Sequence, residues 1–338
     1  MEQRISTASM ARWALVMFAV CLLGSGSALA QGKGEPRESR GGGGILIDNG
    51  VSGDGAWAVE VLAGGDTEFG ELDAVDFAPE DLIYEFNTYV DDGDDGSFVP
   101  LSATTVTSPP TLTDTAEVTS SGSFTGPNGQ IDWTAVAAIP AGEATYQVTL
   151  TFESASAFGD VRVINYFDQD ILGASDDVMI VLGTPGASNF QILTLDDTDD
   201  LGIGHFADYA PDSATYAGFA ADEFSELRSA ISGGTATFSV GGDINTTLLP
   251  PLNDPRYPGE EAYGPADITD AYAFDLDPGS TQATLAFSLG GSISGEPIGP
   301  EPGGESLSVN TLSPVGLALL MLVMAVAAFT TLVGRRCF

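Results

Sequence analysis

Residues 146–153 read Tyr-Gln-Val-Thr-Leu-Thr-Phe-Glu, and their period decides the fold. Successive side chains of an extended strand point to opposite faces. Tyr146, Val148, Leu150 and Phe152 therefore share one side, and Gln147, Thr149, Thr151 and Glu153 share the other. One face is apolar and one is wet, which predicts a half-buried strand of an antiparallel sheet. The same alternation recurs with Ala236, Phe238 and Val240 against Thr235, Thr237 and Ser239. It returns with Ala283, Leu285, Phe287 and Leu289 against Gln282, Thr284, Ala286 and Ser288. Further strands are expected at 56–62, 82–90, 116–120, 131–138, 161–167, 178–182 and 190–195. Ten or more short strands broken by Gly, Asp, Asn and Pro predict an all-β domain, a large antiparallel β-sandwich. Residues 213–231 differ: the stretch is Ala-rich, and Phe219, Ala220, Phe224, Leu227 and Ile231 fall near helical spacing. They predict one short helix covering the sandwich or a sheet edge. No repeat of convincing period is present, which disfavours a solenoid or propeller.

The two ends do not belong to this domain. Arg4 and Arg12 precede an apolar run over 13–23, and Ala28-Leu29-Ala30 closes a small-residue stretch. That order predicts a secretory signal peptide over 1–30, cut after Ala30. Residues 31–44 are a flexible leader, 45–292 the acidic domain, and 293–308 a Pro- and Gly-rich spacer. From Leu312 to Val333 there is no charge, and Arg335 and Arg336 follow. Such a run is long enough to cross a bilayer core of about 30 Å, and the arginines favour the cytoplasmic side. The chain is thus expected to be exported and tied to the membrane by a C-terminal transmembrane helix.

The tail opens with Val309-Asn310-Thr311-Leu312-Ser313-Pro314-Val315-Gly316. Motif, apolar helix and basic end over 309–338 resemble the PEP-CTERM-like protein-sorting signals of Gram-negative bacteria, in particular the IPTL-CTERM variety. That family opens Ile-Pro-Thr-Leu-Ser-Glu-Trp-Gly. Val309 stands for its Ile, and Thr311, Leu312, Ser313 and Gly316 coincide; Asn310, Pro314 and Val315 depart. The resemblance implies handling by export and sorting machinery, with the helix removed and the domain passed to the cell surface or matrix. A permanent anchor in the inner membrane, with the domain facing the periplasm, is the alternative. It implies nothing about what the domain does.

Charge narrows the partners. From Ile45 to Glu305 stand 30 Asp and 15 Glu against Arg162, Arg228 and Arg256, a net of −42. That field repels nucleic acid and anionic lipid, so nucleic acid is excluded as a partner. Two readings of the acids stay open: a solvated coat suited to a saline habitat, or a set that includes calcium ligands. The only cysteines are Cys21 and Cys337, at the ends, so the domain needs a core sufficient without disulfides. No cofactor is required by any motif.

Asp91-Asp92-Gly93-Asp94-Asp95-Gly96 and Asp196-Asp197-Thr198-Asp199-Asp200 are the densest acidic clusters. Calcium loops use Asp oxygens at alternating positions with a glycine at the turn, which makes Asp92, Asp94, Asp197 and Asp199 the calcium candidates. An EF-hand is ruled out by glycine at the third ligand position and Ser102 at the place of the bidentate Glu. The competing reading is two plain Asp-rich turns. His205, the only histidine, is read as a surface or hydrogen-bonded loop residue, since a zinc site draws on several His or Cys and a catalytic imidazole needs support. Trp57, Trp133, Tyr166 and Tyr263 could stack on sugar rings, but a sandwich core uses most of its aromatics for packing. In general layout the domain is similar to carbohydrate-active or carbohydrate-binding modules, an analogy that implies no activity by itself. The favoured function is a non-catalytic role in adhesion or surface structure. The alternative is a module that binds or cleaves extracellular glycan.

Overall fold

The computed structural model describes residues 44–292, apart from 54, 74–79, 92–96, 170, 173–175, 188–189, 198–200 and 210–212. The signal peptide, the leader up to residue 43, the spacer and the sorting tail lie outside the described residues. So do Asp92, Asp94 and Asp199. Among the described residues no helix is long and apolar enough to cross a membrane.

The chain opens with four short antiparallel strands that form their own sheet: β1 (Ile45–Asp48), β2 (Trp57–Val61), β3 (Gly70–Leu72) and β4 (Glu80–Asp81). β5 (Ile83–Asp91) and β6 (Phe98–Pro100) start a second sheet. β7 (Thr105–Asp114), β8 (Glu117–Gly126), β9 (Gly129–Ala138) and β10 (Thr145–Ser154) then meander through a third. β11 (Arg162–Gln169) returns to the second sheet, while β12 (Asp177–Leu182), β13 (Gln191–Asp196) and β14 (Gly202–Tyr209) extend the third. β15 (Ala214–Glu223) leads into the helix α1 (Glu226–Ser232) and β16 (Asp243–Ile244). β17 (Pro251–Leu252), β18 (Glu261–Ala266), β19 (Ile268–Leu276) and β20 (Gln282–Ser292) complete the fold. The result is a ten-stranded sheet ordered β17-β18-β12-β13-β14-β20-β10-β9-β8-β7, facing a six-stranded sheet ordered β16-β15-β19-β11-β5-β6.

The expected sandwich is present, and period two builds it. On β10 and β20 the apolar sets Tyr146, Val148, Leu150, Phe152 and Ala283, Leu285, Phe287, Leu289 face inward and are buried. They meet Phe86, Val163, Phe167, Tyr272 and Phe274 of the six-stranded sheet in one continuous core. Fully burying a side chain of Leu or Phe size is worth about 1.5–3 kcal/mol. A core of this breadth needs no disulfide. Trp57, Val59 and Val61 of the small sheet join the same core.

Two expectations are corrected. The helix predicted over 213–231 is a strand for most of its length, with only Glu226–Ser232 helical. From Gly218 to Ala221 β15 is buried on both faces, so alternation is lost there. Tyr216, Phe219 and Ala221 point into the main core, while Ala220 packs outward under Leu227 and Ile231 of α1. A register shift between Tyr216 and Gly218 breaks the parity further. Gly218 takes φ +142 there, and the backbone of Ser239 lies 2.3 Å from where a Cβ would stand, so only glycine fits. Residues 235–240 are likewise not a strand. Ala236 and Phe238 lie half-buried over the outer face of the six-stranded sheet, beside α1. The helix therefore covers a sheet face, not an edge.

Candidate functional site

Carboxylates are not confined to a solvated coat. Asp66, Asp168, Asp177, Asp196 and Asp270 are all buried, and two groups of polar residues account for most of the domain's unusual chemistry.

The first lies between the sheets. His205 sits on the inner side of β14, a strand and not a loop, and is 0 % exposed, contrary to a surface placement. Asp270 on β19 approaches its Nδ1 to 2.5 Å, and Asn165 Oδ1 on β11 approaches its Nε2 to 2.7 Å. Asn165 donates its amide to Thr88 Oγ1 at 3.1 Å. That fixes the amide oxygen towards His205, and so places a proton on Nε2. The second proton is held between Nδ1 and Asp270. Burial raises the Asp270 carboxyl above its usual range, and His205 partly opposes that shift. Tyr272 donates to the His205 carbonyl at 2.9 Å and lies over the ring, with Phe86 and Phe167 edge-on. Beyond Thr88, whose amide donates to Asp66 Oδ1 at 2.9 Å, the Ser102 amide donates to Asp66 Oδ2 at 3.1 Å. Burial pushes Asp66 up to about 7. A histidine, a carboxylate and an amide in line have the parts of a relay. Here Asn165 occupies the nitrogen that would face a substrate, and aromatic rings surround the imidazole. The arrangement is a polar clasp joining the two sheets.

The second group lies on the outer face of the six-stranded sheet. Glu85 on β5 stands directly opposite Asp168 on β11. Arg228 of α1 reaches Glu85 Oε2 at 2.6 Å, Tyr89 donates to Oε1 at 3.0 Å, and Asn87 donates to the same oxygen. Burial, then the charges of Asp267 and Glu85, push Asp168 up to about 8. Near neutrality Asp168 thus carries a proton while its neighbour is paired to a guanidinium. At the rim, Tyr84 is 44 % exposed and meets Phe224 edge-on, with centroids 5.4 Å apart; Arg228 lies 5.9 Å from the Phe224 ring. Aromatic face, guanidinium and carboxylate together offer stacking and hydrogen bonds to a neutral polyhydroxyl ring.

Of the sugar-stacking aromatics read from the sequence, Trp57, Trp133 and Tyr166 are core residues, and Tyr263 is half-buried, donating to Glu261 at 3.1 Å. Tyr84, not singled out by the sequence, is the aromatic of the six-stranded sheet that is exposed. It precedes Glu85 in an apolar strand, and a register shift between Asp168 and Gln169, opposite Glu85 and Ile83, turns both outward. No alternation reveals a bulge. Asp197 is exposed just after β13, its amide bonded to the Asp176 carbonyl at 3.1 Å. No group of three or more His, Cys, Asp or Glu able to hold a metal occurs among the described residues. The domain's three arginines all meet carboxylates: Arg162 with Asp275 at 2.8 Å, Arg228 with Glu85 and Arg256 with Asp254 at 2.8 Å.

No family model matches the chain, and no curated protein matches it in sequence. Solved structures resemble it distantly. A bacterial glucoamylase complexed with acarbose is 11 % identical over 72 % of this chain and 32 % of its own, with a TM-score of 0.42. A lysyl oxidase from Pichia pastoris is 9 % identical over 71 % of this chain and 52 % of its own, TM-score 0.37. An aldose 1-epimerase from Escherichia coli is 11 % identical over 74 % of this chain and 99 % of its own, TM-score 0.34. This chain spans about a third of the glucoamylase and half of the oxidase. Likenesses of that degree fix neither its chemistry nor its substrate.

Proposed function

We propose that this is an exported, non-catalytic display domain, brought to the envelope or beyond it by its tail and acting in adhesion or surface structure. The observation that supports this is the polar outer face of β8, β9, β10 and β20 in the ten-stranded sheet. Across β8, β9, β10 and β20, Ser121, Thr134, Thr151 and Thr284 align in one row. The adjacent row is Asp132, Glu153 and Gln282, all exposed, with buried Ser123 at its β8 end. Neighbouring strands lie about 4.8 Å apart, so these rows form a closely spaced array of hydroxyl, amide and carboxylate groups. Such a face suits broad, polar, low-affinity contact. The acid–base groups, by contrast, serve the clasp and the anchorage of α1.

A second reading, a glycan-binding module, is favoured by Tyr84, Phe224 and Arg228 standing together at the rim, with the guanidinium held by buried Glu85. Glycan-array binding and a polysaccharide degradation screen, run on the folded domain and on Tyr84→Ala, separate the two. Binding without preference for a defined glycan, unchanged by Tyr84→Ala, supports display. Binding to one glycan class that falls at least tenfold in the variant establishes the glycan reading. Sugar release from a polysaccharide overturns the non-catalytic assignment.

A further inference from the structure

We propose that the free edge strand β7 is an acceptor for O-glycosylation, modified on one or more of Thr107, Ser108 and Thr111 after export. Residues 104–115 read Thr-Thr-Val-Thr-Ser-Pro-Pro-Thr-Leu-Thr-Asp-Thr, seven hydroxyls and two prolines in twelve positions. Among the described residues β7 is the last strand of the ten-stranded sheet, paired with β8 on one side only. Thr107, Ser108, Pro109 and residues 111–114 are all exposed, on both faces of the strand. Packing therefore does not select these side chains.

Strand propensity explains the threonines but not the prolines. Pro109 and Pro110 each remove an amide donor and hold φ near −65°, and Pro109 holds Ser108 extended. The register with β8 shifts three times, after Val106, Ser108 and Leu112. What results is an extended peptide with the hydroxyl residues Thr107, Ser108 and Thr111 exposed, and Ser/Thr-with-Pro is the composition of O-glycosylated stalks. Local bonding picks out the acceptors. The Thr113 hydroxyl donates to the Glu117 carboxylate at 2.7 Å, and Thr115 is held by Asp114. Among the described residues Thr111 donates to the Pro109 carbonyl at 3.1 Å, and Thr107 makes a contact with Ser121 Oγ at 3.3 Å.

In the reaction a hydroxyl Oγ attacks the anomeric carbon of a nucleotide- or lipid-linked sugar phosphate. The carbon–oxygen bond to phosphate breaks, the phosphate leaves with the electron pair, and the hydroxyl proton passes to a base of the transferase. Nothing is oxidised or reduced. A bulky sugar on β7 also blocks edge-to-edge pairing of sheets.

The inference rests on the export reading, and the test keeps the two apart. The chain has no Lys or Arg between Arg40 and Arg162, so protein purified from its native host is cut with a protease specific for Asp and Glu. The fragment beginning at residue 96 is weighed before and after alkaline β-elimination, and the protein's N-terminus is determined in parallel. The expected result is a fragment heavier than its sequence by whole sugar residues. The excess is released by alkali and absent from a Thr107→Val, Ser108→Ala, Thr111→Val variant. A fragment at its plain sequence mass overturns the inference: with Gln31 at the N-terminus export still stands, and with Met1 both readings fall. Excess mass that persists in the triple variant overturns the assignment to these residues.

Discussion

Replacing His205 by Phe tests whether the clasp is structural. The ring volume is retained, so packing against Phe86, Phe167 and Tyr272 survives and the loss is confined to hydrogen bonds. Asp270 Oδ1 and Asn165 Oδ1 lose their partners at 2.5 and 2.7 Å in a site without water access. Asp270 Oδ2 already has no hydrogen-bond partner among the described residues. Breaking a buried pair from one side costs about 3–5 kcal/mol. Because burial already favours protonated Asp270, the lower part of that range is expected, about 3 kcal/mol. Most of this cost comes from the stranded carboxyl. Adding Asp270→Leu to His205→Phe should therefore recover about 1–3 kcal/mol, the desolvation penalty of one orphaned group. Equilibrium urea unfolding followed by fluorescence of the buried Trp57 and Trp133 gives all corners of the cycle. A His205→Phe cost below about 1 kcal/mol, or a double variant equal to the sum of its singles, would refute the reasoning.

Stability should rise on acidification from about pH 8 towards pH 5. Asp66 and Asp168 have folded values raised to about 7 and about 8 from 3.8. Their contribution is complete below the unfolded value and is lost as pH rises to the folded one, at roughly 1.4 kcal/mol per pH unit for each group between those two values. Thermal melts across that range check the sign, and Asp66→Asn should flatten the profile. Sodium chloride should raise the melting temperature by screening the excess of carboxylates over about 8–10 Å. Calcium at matched ionic strength should do more only if Asp92, Asp94, Asp197 or Asp199 bind it, which calorimetry reads directly. Arg228→Ala should cost about 1–2 kcal/mol, since Glu85 stays mostly buried while the guanidinium is partly in water.

What the sequence showed plainly was the half of the domain that has one wet face. β9, β10 and β20 alternate cleanly because their outer sides meet solvent. β15 and β19 could not be read this way. β15 is buried on both faces from Gly218 to Ala221, and β19 carries Asp270 at an inward position where an amphipathic pattern demands an apolar residue. The same residue explains why His205 looked like a loop histidine. Its strand, Gly202-Ile203-Gly204-His205, is glycine-rich, and its polar partners come from residues 40 and 65 positions away. Such a clasp leaves no local signal. The outer patch was hidden by the register shift that turns Tyr84 and Glu85 to the same side.

Delivery outside the cytoplasm underlies every functional statement made of this domain. An intact mass of the mature protein from its native host, taken together with its cell fraction, tests it most directly. The account predicts a chain beginning at Gln31, recovered from the envelope or the extracellular matrix. A chain that still begins at Met1 and is recovered from the cytosol would contradict it.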